Sequence, residues 1–565
     1  MVMCAAALMV PAMASSASAD TSAVRQAVAD KIGDLQKISS GARAWVLASR
    51  AAAPSPFQAL TVAGPVPLPS FGTNVDANDP ARDLAAGQSE TAIGATATGR
   101  VMVAWNDVTG FLSPDSTLLI GSNTGVGLSN DGAKSFVDLI GLPNPNPEQV
   151  WAGDPAVVAL DDSHFAVSSL YFPSFAACRT PTSVAQLTIA VTVATLSADG
   201  SSATFGPPIP IAAAGNACAL PPPPFPGDPP PPPPEPNTAL LDKDAMSYDP
   251  LSRTLAISYT RFGFVGSGLG QIELVRARVP AVAERLSAKS FGPPVVVWPE
   301  EQFCDPGVMP SEAARCGAEN QGAYVSAGPR GDSYVAWERN IDTNVFTFPN
   351  DPYVYIHAAR VPRRASSAAV GGPANPVLIS AGQQNGSPDG LGTRSTDAFP
   401  IPGFNRFTGN DFPRIAVNAP LGTVIVVWND ASLHGLGDIW MRSASPDLAQ
   451  LTPTVQVNDN SDYTLHTMPA VSVRADGTIC TSWYDRGLSG PDSTVTDYVG
   501  ECRPTPSANA PDFRITTGST DWAGTSSLIT PNFGDYTDNV SAGGTTYFTW
   551  TDGRLGTPQP FVDSR

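Results

Sequence analysis

The sequence predicts an all-β fold, a β-propeller of four-stranded antiparallel blades, with seven blades as the favoured count. Gly (50) and Pro (57) together approach a fifth of the 565 residues, a composition typical of short strands joined by many turns. A β-rich segment that ends in an aromatic and then polar residues recurs seven times. A segment near the N-terminus resembles an outer strand and would close the array into a ring.

The recurring β-rich segment, here named strand B, keeps the same phase in every repeat. Its copies span residues 101–107, 164–172, 254–262, 332–340, 423–431, 478–486 and 545–553. A small, partly polar strand A precedes each copy, across a turn of Gly, Asp or Asn. The strand A segments span residues 89–95, 153–159, 242–248, 322–328, 411–417, 468–474 and 534–540. Each repeat is therefore expected to begin with an antiparallel hairpin.

Two further strands complete the repeated unit. Strand C is predicted at residues 117–123, 187–193, 271–277, 353–359, 438–444, 496–502 and 559–565. An outer strand D follows in six repeats, for example at residues 207–213, 293–299, 375–381, 453–459 and 512–518. Such a unit cannot bury both of its faces alone, so radial stacking of the repeats is expected.

The closing strand of the ring is predicted to come from the N-terminal side. The seventh repeat has strands A to C up to Arg565, whereas residues 73–79 (TNVDAND) resemble the strand D at residues 453–459 (PTVQVND) and likewise lead into a strand A. Insertions weaken the second or third repeat, so six blades plus an irregular one is the alternative. Linear tandem sandwiches are less favoured.

Three segments stand outside the repeat. Residues 1–19 are small and apolar and end in Ala17-Ser18-Ala19, which predicts a secretory signal and an extracellular or periplasmic protein; a buried N-terminal helix is the less favoured alternative. Residues 20–60 form a predicted helical or linker segment, with helical spacing of apolar residues over 22–38, before the propeller at 61–565. Residues 219–237 are a polyproline loop that we interpret as a stiff spacer. No later stretch is apolar for long enough to span a bilayer.

Six cysteines remain once Cys4 leaves with the signal, an even number that suits an oxidising compartment. We expect them to pair in sequence order, as Cys178–Cys218, Cys304–Cys316 and Cys480–Cys502. Cys480 and Cys502 lie on two strands of one predicted hairpin, and each of the other two pairs closes a local loop. Their spacing is not that of a zinc site.

The charge balance limits the classes of partner. Lys and Arg number 32 and Asp and Glu number 51, so the net charge is −19. An acidic surface repels nucleic acid and anionic membranes, and favours neutral, cationic or metal-bridged partners. We expect a monomer that binds no nucleic acid and has no membrane span.

A turn motif links the chain to a known family. Residues 129–136 (SNDGAKSF) resemble the Asp box S-x-D-x-x-x-[ST]-[WF] of bacterial secreted sialidase-like proteins. Ser129 and Asp131 can bond the turn backbone, Gly132 tolerates a positive φ, and Phe136 anchors the turn in the blade. Further copies lie at residues 197–205 and 443–447. The resemblance covers about residues 72–565 and implies a β-propeller in which the Asp boxes are structural.

Each blade is predicted to be a meander, in which consecutive strands run in opposite directions. This arrangement determines which end of the blades carries the candidate site. The start of strand A and the end of strand B lie at one edge of every blade, and the Asp boxes lie at the other. Polar residues at the first edge are expected to line one opening of the channel. They are Glu90, Asp107, Asp154, Asp242, Lys243, Asp244, Arg261, Glu338, Arg339, Asn410, Asp411, Asp430, His466, Tyr484, Asp485, Arg486, Asp535, Tyr536, Asp552 and Arg554.

The resemblance implies exo-α-sialidase-type hydrolysis, in which a Glu activates a Tyr nucleophile, an Asp is the acid and base, and three arginines bind the substrate carboxylate. Asp107 lies where the acid and base is expected, and Tyr536 and Glu90 become neighbours on closure. The candidate arginines are Arg339, Arg486 and Arg554. Asp154, Asp411 and Asp535 are the further candidates for substrate contact.

Two hypotheses about function follow. The first strand A reads Ser89-Glu90-Thr91-Ala92-Ile93 where the family carries F/Y-R-I-P, so the first arginine is replaced by an acid that would repel a sialate. The chain is therefore either a retaining exo-acting glycoside hydrolase of extracellular glycans or glycoproteins, or a non-catalytic propeller that binds glycan, protein or Ca²⁺ at its mouth. Neither hypothesis requires a cofactor. The four histidines have no metal-ligand spacing, which gives little support to a metal or quinone enzyme.

Overall fold

The structure is a computed structural model. It describes residues 70–71, 73–81, 87–107, 122–146, 149–173, 186–216, 239–263, 270–299, 319–340, 353–364, 376–380, 393–394, 401–406, 409–431, 437–459, 464–487, 489, 493–527, 529 and 531–565. The predicted signal (1–19), the N-terminal segment (20–60) and the polyproline loop (219–237) lie outside the described residues. So do Cys178, Cys218, Cys304 and Cys316.

Seven antiparallel sheets follow one another along the chain, and each sheet is one blade. Two short strands come first, β1 (Ser70–Phe71) and β2 (Asn74–Asp76). Blade 1 comprises β3 (Gln88–Ala95), β4 (Val101–Asp107), β5 (Thr124–Ser129) and β6 (Val137–Asp138). Blade 2 comprises β7 (Val150–Trp151), β8 (Ala156–Asp161), β9 (His164–Phe172), β10 (Gln186–Leu196), β11 (Ala203–Phe205) and β12 (Ile209–Asn216).

Blade 3 comprises β13 (Ala239–Asp249), β14 (Thr254–Gly263), β15 (Gly270–Arg278) and β16 (Val295–Trp298), with two 3-10 turns at Ala283–Arg285 and Ala288–Ser290 between β15 and β16. Blade 4 comprises β17 (Glu319–Ala327), β18 (Ser333–Asn340), β19 (Tyr353–Val361), β20 (Val377–Leu378) and β21 (Thr393–Arg394). Blade 5 comprises β22 (Arg414–Asn418), β23 (Thr423–Asp430), β24 (Asp438–Ala444) and β25 (Val455–Gln456).

Blade 6 comprises β26 (His466–Val473), β27 (Ile479–Asp485), β28 (Val495–Arg503), β29 (Phe513–Arg514) and β30 (Thr520–Asp521). Blade 7 comprises β31 (Asp538–Ala542), β32 (Thr545–Asp552) and β33 (Gln559–Ser564), and is completed by β2 and β1. The prediction of a seven-bladed, all-β propeller is confirmed.

The ring closes through the N-terminal strand, as predicted. Strand β2 pairs antiparallel with β33, with Val75 opposite Val562 and Asp76 opposite Phe561. Strand β1 then pairs with β2 at the outer edge. This pairing covers the edge that β33 would otherwise expose, and it joins the two ends of the described chain in one sheet.

One strand prediction is wrong. Strand C of blade 1 is β5 at Thr124–Ser129, not the more apolar segment at residues 117–123. Strand β5 contains two glycines because its neighbours leave no room for side chains. A Cβ at Gly125 would lie 2.2 Å from Nε1 of Trp105, and a Cβ at Gly127 would lie 2.6 Å from the carbonyl oxygen of Ala77. Tertiary packing therefore selects a segment that its own hydrophobicity does not favour.

Seven apolar clusters hold neighbouring blades together, one at each of the seven interfaces. The aromatic that ends each strand B lies in these clusters in most blades. Five of these residues are tryptophans that are buried almost completely, namely Trp105, Trp337, Trp428, Trp483 and Trp550. The large ring fills the wedge between two twisted sheets, which explains why the repeat carries an aromatic at that place.

The turn at residues 129–136 is held by its acidic side chain. Ser129 Oγ donates a hydrogen bond to Asp131 (2.8 Å), and Asp131 also accepts from the backbone N of Lys134 (3.0 Å) and from Ser135 Oγ (2.6 Å). Phe136 is buried behind the turn. The later copies repeat the first contact, because Ser197 Oγ donates to Asp199 and Ser445 Oγ donates to Asp447. All three turns lie at the same end of the blades.

Cys480 and Cys502 form a disulfide between paired residues of β27 and β28, with their Cα atoms 4.1 Å apart. A disulfide is consistent with an oxidising compartment. Within the part of the chain that the structure describes, none of the helical elements is long and apolar enough to cross a membrane.

Candidate functional site

The innermost strands of the blades surround a central channel. They are β3, β8, β13, β17, β22, β26 and β31, and each contacts the next around the ring, with β31 against β3. Because every blade repeats the same meander, these strands all enter the channel from the same end, here named the mouth. The opposite end, which carries the turns at Asp131, Asp199 and Asp447, is here named the Asp-box end.

Unusual backbone conformations occur where the inner strands enter the channel. Glu90, Asp154, Lys243 and Met468 have φ between 55° and 57°, and Gly322 has φ 66° at the equivalent place. The strands are bulged there, which changes the side chain that faces the channel. A positive φ costs a non-Gly residue about 1–3 kcal/mol, and such strain collects at functional sites. Three of these five residues are charged.

Glu90 and Asp154 form a carboxyl pair at the mouth. Asn106 Nδ2 donates to Glu90 Oε2 (2.7 Å) and to Asp154 Oδ1 (3.1 Å), and the backbone N of Asp535 donates to Glu90 Oε1 (3.1 Å). Both acids are fully buried. Burial, together with the charge of Asp154 and a hydrogen bond to it, raises the pKa of Glu90 well above its usual value. A carboxyl with a raised pKa is an acid when it is protonated and a stronger base than usual when it is ionised, so Glu90 is suited to proton transfer.

Asp244 adds a third buried acid from blade 3. Ser168 Oγ donates to Asp244 Oδ2 (2.5 Å), whereas Asp244 Oδ1 has no hydrogen-bond donor among the described residues. Burial, and then the charge of Asp154, raises the pKa of Asp244 well above its usual value. A buried carboxyl oxygen without a donor is costly, so this atom indicates a place for a water or a ligand hydroxyl.

Tyr536 lies beside these acids. Its hydroxyl is 3.5 Å from the carbonyl oxygen of Pro155, and its ring lies under the guanidinium of Arg414, 5.6 Å from the ring centre. Burial, and then the charges of Asp154 and Glu90, raises the pKa of Tyr536 well above its usual value. The hydroxyl therefore keeps its proton until a base removes it.

An ion pair crosses the channel at the mouth. Lys243 of blade 3 pairs with Asp535, which precedes β31 of blade 7, and these two blades are not neighbours. Arg406 pairs with the other carboxylate oxygen of Asp535, and Asn410 Nδ2 donates to it (3.1 Å). Burial opposes the charge of Lys243, but the surrounding acids, with Asp535 first, raise its pKa above the usual value. Asp535 thus pairs with both Lys243 and Arg406 through its two carboxylate oxygens.

A second bridge crosses the channel one level below. The hydroxyl of Tyr324 in blade 4 donates to Asp538 Oδ1 in blade 7 (3.0 Å). Burial raises the pKa of Asp538 to about 6. The guanidinium of Arg414 lies 4.3 Å from the centre of the Tyr324 ring. Between the two levels is a cavity of about 30 Å³, lined among others by Asp244 and Tyr536, which is enough for a water molecule. The channel then widens to about 660 Å³ toward the Asp-box end.

Of the predicted catalytic residues, Glu90 and Tyr536 lie in one buried cluster. Asp107 lies in β4, the strand that pairs with the Glu90 strand β3. Asp107 is the last residue of β4, opposite Gln88, and its backbone N donates to the carbonyl oxygen of Asn123 (3.0 Å). Asp107 is buried, and its neighbour Asn106 is the β4 residue that contacts Glu90. The catalytic role of Asp107 stays a prediction. The carboxyl that shares the cluster with Glu90 is Asp154, from the next blade.

The predicted arginines are not gathered around Tyr536. Arg486 donates to the carbonyl oxygens of Pro402 (2.7 Å) and Ser493 (2.6 Å), and so joins the segment before blade 5 to a loop of blade 6. Burial lowers the pKa of Arg486 to about 10. Arg554 forms a two-pronged pair with Asp552, at 2.9 and 2.5 Å.

Arg339 lies farther out on blade 4. It is in β18, opposite Asn320, and close to His357. Burial, with a contribution from the Arg339 charge, lowers the pKa of His357 to about 4.

The remaining predicted contacts are both at the mouth. Asp535 is the centre of the cross-channel ion pair. Asp411 is buried between blades 4 and 5, where its backbone N donates to Glu338 Oε2 (3.2 Å) and its carboxylate accepts from Asn429. It therefore links two neighbouring blades.

Sequence reasoning missed Asn106, Arg406 and Arg414. Asn106 follows the strand B aromatic, as Glu338 and Asn429 do in their repeats, so an alignment of the repeats at that position would have revealed it. Arg414 begins β22, opposite Val427, at the same repeat position as Tyr324 and Asp538. Arg406 precedes the strands of blade 5 and carries no repeat signal.

Comparisons with known proteins give structural likenesses only. No family model matches the chain, and no curated protein sequence matches it. An α-L-arabinanase of Penicillium chrysogenum complexed with arabinobiose is 12% identical, covers 80% of this chain and 99% of its own, and has a TM-score of 0.38. The Trypanosoma rangeli sialidase in complex with 2,3-difluorosialic acid is 11% identical, with 73% of this chain and 53% of its own covered and a TM-score of 0.37.

An ulvan lyase from a new family of polysaccharide lyases is 7% identical, with 85% of this chain and 94% of its own covered and a TM-score of 0.40. Likenesses this distant do not identify a substrate or a reaction, since one propeller fold hosts many chemistries.

Proposed function

We propose that the protein is a retaining, exo-acting glycoside hydrolase that removes terminal sugars from extracellular glycans at the mouth of its channel. The observation that supports this proposal is the carboxyl pair of Glu90 and Asp154 beside the buried hydroxyl of Tyr536. A nucleophile, a base and an acid are the groups that such a reaction requires. Here they come from blades 7, 1 and 2.

The first step transfers the sugar to the protein. Tyr536 Oη attacks the anomeric carbon while its proton passes to Glu90, and the bond to the leaving oxygen breaks as Asp154 donates a proton to it. A water molecule then attacks the glycosyl–tyrosine, loses its proton to Asp154, and Glu90 returns the proton to Tyr536. Glu90 accepts the proton in its ionised form, above its folded pKa. Because that pKa is raised, the ionised form is a stronger base than an ordinary carboxylate, which a tyrosine with a raised pKa needs.

The charges at the mouth favour a neutral or amino sugar over a sialic acid. Lys243 and Arg406 both pair with Asp535, and Arg486 and Arg554 bind other groups. Arg414, the cation beside Tyr536, donates to the carbonyl oxygens of Pro469 and Thr537. A substrate carboxylate would therefore meet three acids, Glu90, Asp154 and Asp244, against this one cation. The uncommitted Asp244 Oδ1 accepts a hydrogen bond from a sugar hydroxyl or ammonium group.

A panel of fluorogenic glycosides with neutral, amino and sialic sugars tests the proposal. We expect turnover of a neutral or amino sugar, and a loss of at least about a thousandfold in kcat for Tyr536→Phe. The fold should be retained, because among the described residues the hydroxyl makes a single, long hydrogen bond. Tyr547→Phe is the matched control, since this buried tyrosine lies in β32 away from the cluster.

Two more variants assign the acid. We expect Asp154→Asn to lose activity most for glycosides with poor leaving groups, and Asp107→Asn to have a small effect. Absence of turnover for every glycoside, or equal activity of Tyr536→Phe and the parent protein, contradicts a hydrolytic function.

A non-catalytic glycan-binding propeller is the second candidate. The buried cross-channel pair of Lys243 and Asp535 favours it, because it joins blades 3 and 7 at the mouth beside the acids. Among the described residues, no group of three or more His, Cys, Asp or Glu is arranged to hold a metal ion, so glycan is a better-supported occupant than Ca²⁺. Calorimetric binding of a glycan without turnover, unchanged in Tyr536→Phe, would favour this candidate.

A further inference from the structure

Blades 3 and 4 carry a concentration of positive charge at the Asp-box end, here named the basic face. Nine cationic residues lie in the turns and strand ends there, against three acidic residues in the same segments. The cations are Arg253, Arg276, Arg278, Arg285, Lys289, Arg330, Arg360, Arg363 and Arg364. The acids are Asp249, Glu284 and Asp332. This sign is opposite to the net charge of the chain, −19.

The cations form one continuous surface across the two blades. Arg276 Nη1 of blade 3 donates to the carbonyl oxygen of Pro362 in blade 4 (2.8 Å). A Cβ at Gly331 would be 3.0 Å from Cδ of Arg363 and 3.2 Å from Oγ1 of Thr254, which is next to Arg253 in the chain. The turns of both blades therefore meet.

Within the described residues, most of this positive charge has no acidic ion-pair partner. Asp332 Oδ2 pairs with Arg360 Nη2 (2.6 Å), and Glu284 Oε1 contacts His164 Nε2 (2.8 Å). The exposed cations make no ion pair with any residue that the structure describes. They are Arg278, Arg285, Lys289, Arg330, Arg363 and Arg364. Isolated charges of one sign at this density indicate a surface that meets an anionic partner.

Apolar side chains project from the same end. Four large apolar residues are strongly exposed within the described part of the chain, and three of them lie here. Leu251, in the turn between β13 and β14, is 80% exposed, Val282 is 44% exposed, and Leu421, in the equivalent turn of blade 5, is 41% exposed. The fourth, Leu555 at 36%, follows strand β32 at the mouth end.

We propose that the basic face docks the propeller on an anionic lipid surface. The cations bind the headgroups, and Leu251 and Val282 enter the interfacial layer. A soluble polyanion would use the cations but would gain nothing from an 80% exposed leucine tip. The combination of unpaired cations and apolar tips is what favours lipid.

The acids of the mouth do not oppose this docking. The inner strand β3 has eight residues, so the two ends of the channel are about 26 Å apart. At physiological ionic strength charges are screened over about 8 Å, so the lipid surface responds to the local charge of the basic face. Docked in this way, the protein would present its mouth away from the lipid.

Co-sedimentation with vesicles tests the proposal. We expect the full chain to bind vesicles of phosphatidylcholine with about a third phosphatidylglycerol, to ignore pure phosphatidylcholine, and to be released by high salt. Reversing two charges with Arg363→Glu and Arg364→Glu should weaken binding at least tenfold. The matched control reverses Lys134 and Arg565, which lie at the same end on blades 1 and 7, and should bind as the parent does.

A pair of leucine variants tests the apolar contribution. Leu251→Ser should weaken vesicle binding several-fold, whereas Leu555→Ser, at the opposite end, should not change it. Absence of binding to the anionic vesicles overturns the proposal. So does binding that is equal in the Arg363 and Arg364 variant, or binding to soluble heparin with the same affinity and no effect of Leu251→Ser.

Discussion

The charged clusters at the two ends of the channel differ in their burial. At the mouth, Glu90, Asp154 and Lys243 are buried and held by contacts that cross the channel, including the pair with Asp535. At the Asp-box end, charged residues such as Arg363 are exposed, and Asp131 bonds only its own turn. The same meander places both sets, and the contrast holds for these groups rather than for every charge, because Glu501 and Arg503 form a buried ion pair where β28 reaches the Asp-box end.

The largest effect is expected from removing the buried cation of the mouth. Lys243→Met leaves the carboxylates of Asp535 and its neighbours with less positive charge in a buried site, so the free energy of unfolding should fall by about 3–5 kcal/mol. Chemical denaturation measures this change.

Lys134→Met is the matched control for that variant. Lys134 is exposed at the Asp-box end, and the change should stay within about 0.5 kcal/mol. Equal, small losses in the two variants would show that burial at the mouth does not distinguish the two ends.

The second prediction concerns pH. The pKa of Glu90 is raised in the folded protein, so the folded state binds a proton that the unfolded state has lost. Stability should therefore fall as the pH rises from about 4.5 toward the folded pKa, by at most about 1.4 kcal/mol per pH unit from this group. Glu90→Gln removes the contribution, and unfolding curves recorded at several pH values will show a flatter profile.

Glu284→Gln is the control for the pH profile. Glu284 is exposed near the Asp-box end, and its hydrogen bonds lower its pKa, so this variant should keep the decline seen in the parent protein above pH 4.5. Asp244 and Asp538 also have raised pKa values and leave a residual slope in Glu90→Gln. A profile of Glu90→Gln identical to that of the parent would refute the proposed protonation of the mouth.

The smallest effect is expected at the Asp-box end. Asp131→Ala removes an acceptor for Ser129, Lys134 and Ser135 in an exposed turn, so the loss of unfolding free energy should be about 1 kcal/mol. Asp447→Ala should cost less, because within the described part of the chain Asp447 accepts two hydrogen bonds, from Ser445 and Ala449. A loss for Asp131→Ala as large as that for Lys243→Met would contradict the difference between the two ends.

The repeated pattern of the sequence predicted the fold well. Strand B carries an apolar run and a tryptophan in most repeats, and both follow from its burial between two blades. The closing role of residues 73–79 was also predictable, because an outer strand keeps its own short pattern. The prediction failed at strand C of blade 1, since Gly125 and Gly127 look unlike a strand until the ring of Trp105 is placed over them.

The candidate site was predictable only in part. Counting from the strand ends placed Glu90, Asp154, Asp535 and Tyr536 at the mouth, and the structure brings them together there. The arginines were chosen by the same rule, yet Arg486 binds the carbonyl oxygen of Pro402 and Arg554 binds the carboxylate of Asp552. The position of a residue in its strand predicts how far along the channel the residue lies. It does not predict the direction in which a long side chain extends.

The sequence by itself determined the number of blades, the closing strand and the end of the channel at which each charged residue lies. These features depend on the repeated strand pattern, which can be recognised within each repeat. Only the tertiary structure decided that Lys243 reaches Asp535 and that Tyr324 reaches Asp538, since residues far apart in the chain meet across the channel only after the ring has closed. It also decided that the positive charge of an acidic protein gathers on blades 3 and 4. The turns of neighbouring blades lie side by side in the folded ring, and the composition of the chain does not show which turns become neighbours.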